Sequence, residues 1–132
     1  MAPETAGERV AAVRAALPEH VTLGISGDAC AAAALLAGCD GWYSVIAGTC
    51  PKPALEIVRA ALGPQPQDAL AASERLAPLW ERFAESGSLR VVAAIAEHLG
   101  LAPGDCLPQP LLGLSPEQRE RTAEAVAELG LR

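Results

Sequence analysis

Few residues of this chain could do chemistry. It has four cysteines (Cys30, Cys39, Cys50 and Cys106), two histidines (His20 and His98), one tyrosine (Tyr43) and one lysine (Lys52). A structural zinc site needs thiolates and imidazoles at short, regular spacing. No pair here forms C-x-x-C, and no histidine lies at ligand spacing from a cysteine, so no metal is expected. Cys30, Cys39 and Cys50 stand among small and apolar residues and read as buried thiols acting as small hydrophobes. His20 and His98 have no companions and read as surface or helix-end residues. Gly24-Ile25-Ser26-Gly27 lacks the glycine spacing of a nucleophile elbow, and no G-x-G-x-x-G occurs. Glu117 and Glu120 belong to a solvated helix face.

The elements that carry these residues alternate. Glu8 to Leu17 has Val10, Val13 and Leu17 at helical spacing, and Pro18 ends it. His20 to Ser26 reads as a short strand. Gly27-Asp28 then turns, with Asp28 as the expected N-cap of a helix Ala29 to Ala37 and Gly38 as its C-terminal cap. Trp42 to Ala47 is near-continuously apolar, as a parallel strand covered on both faces should be. Pro51 to Leu62 follows as a helix with Leu55, Val58 and Leu62 on one face, broken by Gly63-Pro64-Gln65-Pro66. Gln67 to Glu85 places Leu76, Leu79, Trp80 and Phe83 on a core-facing stripe. Leu89 to Leu99 repeats the pattern with Val92, Ile95 and Leu99. A proline-rich connector, Ala102 to Leu114, leads to the capping box Ser115-Pro116-Glu117-Gln118. The last helix ends at Gly130.

Composition excludes some partners. The net charge is −6 over 132 residues, and the arginines are dispersed, so nucleic acid is not expected. No apolar run reaches the roughly 20 residues that span a bilayer. Met1 to Gly7 lacks the basic and apolar regions of a secretion signal. The expected location is the cytoplasm, with no membrane partner.

Helix, strand, helix, strand, helix, then three more helices describes an α/β chain that is mostly helical. Alternating βα units imply parallel strands joined by crossover helices. Two strands alone leave their outer edges unpaired, which predicts an oligomer or a complementing partner.

Ser26-Gly27-Asp28 and the run Gly38-Cys39-Asp40-Gly41-Trp42-Tyr43-Ser44-Val45-Ile46-Ala47-Gly48-Thr49-Cys50-Pro51 resemble the dihydrodipicolinate synthase and N-acetylneuraminate lyase family. That family shows S-G-D-D and then G-A-D-G-x-I-S-x-x-A-N-x-x-P. Pro78-Leu79-Trp80, the helix from Val92 to Leu101, Leu107-Pro108-Gln109-Pro110-Leu111 and the final Ala127-Glu128-Leu129-Gly130-Leu131 resemble its later segments in order. The resemblance implies the C-terminal part of a TIM (β/α)8 barrel: helix 6, strand 7, helix 7, strand 8 and helix 8 within residues 1–63, then a three-helix extension over residues 64–132. It implies lyases and aldolases that act on pyruvate-type 2-oxo acids through a lysine Schiff base, with no cofactor.

On the same resemblance, the Schiff-base lysine lies on the sixth strand and the proton-relay tyrosine on the fourth, ahead of these residues. Lys52 does not match that lysine. A Schiff-base amine must be neutral near pH 7, which usually means desolvated, whereas Lys52 reads as solvated at a helix start. No catalytic residue is therefore expected in this chain, and alone it is expected to be inactive. Pocket-lining positions carried over are Gly27, Asp28 and Tyr43, the last through its backbone carbonyl. Tyr43, Gly48 and Ala29 stand where the family has Ile, Asn and the second Asp, which implies another substrate within the family. The other function expected for such a chain is a non-catalytic helical oligomerisation module using the Leu76, Leu79, Trp80 and Phe83 face.

Overall fold

The computed structural model describes residues 3–132. Met1 and Ala2, the start of the segment read for a leader, lie outside the described residues. Helix α1 (Pro3–Ala16) begins on a proline, whose fixed φ suits a first helical position. Strand β1 (Gly24–Ser26) follows, then a 3-10 turn (Asp28–Cys30) and helix α2 (Ala31–Leu36). Strand β2 (Gly41–Tyr43) runs parallel to β1, with Gly24 opposite Gly41, Ile25 opposite Trp42 and Ser26 opposite Tyr43. A second 3-10 turn (Ile46–Gly48) leads into α3 (Pro51–Ala61). Then come α4 (Asp68–Glu74), α5 (Ala77–Ser86), α6 (Ser88–His98) and α7 (Pro116–Glu128).

The capping box and two glycine helix ends form as read. Ser115 Oγ accepts from the Gln118 amide, and the Gln118 side chain accepts from the Ser115 amide, closing the capping box. Gly38, at φ +101°, takes a conformation that costs other residues a steric penalty. It donates to the Leu35 carbonyl while Cys39 donates to Ala34, the two bonds of a Schellman ending. Gly130 closes α7 with the same pair.

Four expectations need correction. First, both strands are shorter than the apolar runs. His20 and Val21 belong to a turn closed by the Val21 amide on the Pro18 carbonyl. Val45 to Ala47 leave β2 because their amides donate to side chains instead of a neighbouring strand. Second, the predicted helix from Gln67 to Glu85 is two helices, so four helices follow Pro66. Pro78 has no N–H for the Glu74 carbonyl, and its ring crowds that carbonyl, so α4 stops there. The Trp80 indole N–H spans the break and donates to the Ser73 carbonyl at 2.9 Å.

Third, two helices turn a different face inward. On α1, Ala6 and Val10 are buried while Val13 is exposed. On α3, Ala54 and Ile57 are buried while Leu55 and Leu62 face solvent. Fourth, the stripe proposed for self-association lies within the chain's own core: Leu76 and Leu79 are buried, and Trp80 and Phe83 pack against the same cluster.

That cluster joins Ile46, Cys50 and Ile57 to Leu79, Val91, Ile95 and Val126. A smaller one joins Val10 and Ile25 to Ala31, Ala34, Leu35 and Cys39. Trp42 packs against both. Among the described residues, no helix is long and apolar enough to cross a membrane.

The two leucines separate the faces in a measurable way. Leu79→Ala, at a fully buried position, is expected to cost about 2–5 kcal/mol. Leu62→Ala, at 73% exposure, is expected to stay within roughly 0.5 kcal/mol of the parent. Urea unfolding of the two variants checks this.

Candidate functional site at the C-terminal strand ends

The parallel register brings the ends of β1 and β2 side by side, with Ser26 opposite Tyr43. Gly27 follows at φ +119°, a region that L side chains rarely adopt. That turn sends Asp28 inward, where it is 3% exposed. Asp28 does not cap its own helix, contrary to expectation. Its carboxylate crosses to the segment after β2. Oδ1 accepts from the Trp42 indole N–H at 3.2 Å and the Val45 amide at 3.0 Å. Oδ2 accepts from the Ile46 amide at 2.8 Å and the Ser44 hydroxyl at 3.3 Å. Ser44 Oγ in turn accepts from the Ala47 amide at 3.0 Å. A buried carboxylate is tolerated only when donors surround it, and this one has four.

Tyr43 leaves the strand on the opposite course. Its side chain is 75% exposed, so it is not packed against a helix. The ring lies over Gly24, where an added Cβ would collide with Cε2. Gly27 and Tyr43 are thus brought to one edge, and Asp28 lies beneath it with its carboxylate already engaged.

The opposite ends of the strands have their own carboxylate. Asp40 pairs with the Arg14 guanidinium and accepts from the Leu23 amide at 2.7 Å. Arg14 also donates to the carbonyls of Val21 at 2.9 Å and Gly38 at 3.0 Å. The Leu23 amide, followed by the Arg14 guanidinium, holds the Asp40 carboxyl below the ordinary carboxylate range. Sequence reasoning missed this clamp. The only signal for it was a single arginine in the last turn of the helix that precedes β1.

The remaining candidates do not converge. Lys52 is exposed in the first turn of α3. His20 and His98 are exposed, as are Glu117 and Glu120. Cys30, Cys39 and Cys50 are buried and Cys106 is exposed. Burial pushes the Cys39 and Cys50 thiols above their ordinary pKa, which disfavours the nucleophilic thiolate. Among the described residues, no group of three or more His, Cys, Asp or Glu could hold a metal ion.

The two carboxylates give separate expectations. Asp28→Ala leaves several partly or fully buried donors without an acceptor and is expected to cost about 3 kcal/mol or more, read by urea unfolding. Asp40, with a folded pKa below its unfolded value of about 3.9, stabilises the fold above that value. The contribution is lost as pH falls through the folded pKa. The stability gap between the parent and Asp40→Asn, measured by urea unfolding across pH, is therefore expected to be constant above about pH 5 and to close on further acidification.

The chain as a whole is similar to known proteins. Residues 4–129 match the Dihydrodipicolinate synthetase family. The dihydrodipicolinate synthase of Agrobacterium tumefaciens is 39% identical with a TM-score of 0.86, over 94% of this chain and 41% of that one. The 4-hydroxy-tetrahydrodipicolinate synthase of Methylacidiphilum fumariolicum is 25% identical with a TM-score of 0.84, over 94% and 41%. The chloride-inhibited dihydrodipicolinate synthase of Acinetobacter baumannii, complexed with pyruvate, shares the fold at 24% identity with a TM-score of 0.79, over 99% and 51%. This chain thus spans about two-fifths to one half of the length of these structures. No sequence among the curated proteins matches it. Matched over nearly all of its length, the chain belongs to the dihydrodipicolinate synthetase family.

Proposed function

We propose that this chain is the C-terminal part of a dihydrodipicolinate synthase-like lyase that acts on pyruvate-type 2-oxo acids through a Schiff base. In this reading residues 1–63 are the barrel segment from helix 6 to helix 8, with β1 and β2 as strands 7 and 8. Residues 64–132 are the helical extension. Gly27, Asp28 and the Tyr43 carbonyl border the pocket. The observation that carries the reading is the placement of Gly27 and Tyr43 together at the C-terminal ends of two parallel strands, where barrel enzymes build their sites.

The chain supplies the border of such a site and not its reactive amine. Its one lysine is exposed at the start of a helix. The 132 residues are inactive alone in this reading, and they work in a homo-oligomer or with a complementing barrel half in the cytoplasm. Two features favour a neighbour. Each strand is paired on one edge only among the described residues. Val13, Leu55 and Leu62 leave apolar surface exposed on α1 and α3.

Borohydride trapping tests the assignment. An amine that attacks the keto carbon of pyruvate loses water to form an imine, and borohydride fixes it as a stable amine. Intact mass spectrometry of the isolated chain with pyruvate and borohydride is expected to show no adduct. Addition of a barrel half bearing the family lysine is expected to give an adduct on that half. An adduct on the isolated chain would overturn its assignment as inactive.

A further inference from the structure

We infer that Asp28 is a specificity-determining residue: its carboxylate closes an anion receptor at the strand ends, so a substrate cannot place a phosphate or carboxylate there. The inference rests on the reading that this edge borders the pocket.

The Trp42 indole, the Ser44 hydroxyl and the Val45 and Ile46 amides point at one small volume, within 2.8–3.3 Å of the Asp28 oxygens. Four donors converging from side chain and backbone are what proteins use to bind an oxyanion. Here the anion is part of the chain. Both of its oxygens are engaged, and no buried side-chain polar atom among the described residues lacks a partner. A second anion would meet a fixed negative charge and no vacant donor in this group. A substrate group presented between Gly27 and Tyr43 must therefore not be anionic. The carboxylate of a 2-oxo acid has to be held by groups elsewhere in the assembled site. Gly27 serves the same end, because its left-handed φ allows the turn that sends the carboxylate inward.

The test uses the 132-residue chain and Asp28→Ala, titrated with formate and with inorganic phosphate at ionic strength fixed by chloride. The readout is the NMR shift of the Val45 and Ile46 amides and the Trp42 indole N–H. Formate has the size of the group that alanine removes. In Asp28→Ala it is expected to shift all three signals saturably, at least tenfold more tightly than any effect in the parent. In the parent, neither anion is expected to shift them. Saturable shifts of these signals in the parent would overturn the inference, because the receptor would then be open. A folded Asp28→Ala that takes up no formate would overturn it too. If Asp28→Ala does not fold in chloride, regain of native circular dichroism in formate supports the inference, and no regain overturns it. The measurement involves no Schiff base, so it can fail while the trapping experiment succeeds, and the reverse.

Discussion

A carboxylate withdrawn from water is stable only where donors replace the lost hydration, and Asp28 shows how much structure can follow from that requirement. Its acceptors fix the indole of Trp42, the hydroxyl of Ser44 and two successive backbone amides. Those contacts end β2 after three residues, start the turn Ile46–Gly48 and bury Ile46, which enters the main hydrophobic cluster. The same bonds hold Trp42 where it touches both clusters. One side chain thus links the strand ends to the packing of α3, α5 and α6. Arg14 and Asp40 perform a similar service at the other ends of the strands, in a more exposed setting.

A sheet of two three-residue strands has little hydrogen bonding of its own. Here the sheet is held by side chains at both ends and by Ile25 and Trp42 between them. This explains how the pair forms while, among the described residues, each strand has one neighbour. It also sets Gly27 and Tyr43 side by side at one edge of the sheet.

What the sequence made legible follows from the range of the interactions. The capping box at Ser115, the glycine endings at Gly38 and Gly130 and the helix start at Pro51 are fixed by residues a few positions apart, and all formed as read. Strand lengths were not legible, because they are set by Asp28 reaching 17 and 18 residues forward and by Asp40 reaching 17 back. The inward face of α3 was ambiguous for another reason. Ala54, Leu55, Ile57, Val58, Ala61 and Leu62 make the helix apolar on two sides, and periodicity cannot choose between them. The break at Pro78 had a clear signal, but Leu76, Leu79, Trp80 and Phe83 keep a common inward side across it, which made one helix look sufficient. At the candidate site, resemblance singled out Gly27, Asp28 and Tyr43 as expected pocket-lining positions. It said nothing of where the Asp28 carboxylate points, because that depends on a φ available to glycine.

The contact between Tyr43 and Gly24 has a wider meaning. The two residues sit on adjacent strands, offset by two residues from direct opposition, and the ring fills the space that a side chain at 24 would need. They share one volume. A bulky residue at 43 is compatible with glycine at 24, and a branched residue at 24 would require a smaller one at 43 or a ring turned away. The identity of residue 43, where this chain departs from the family pattern, is therefore half of a two-position choice. Drift at either position is constrained by the other, and a change of side chain here has to be made as a pair.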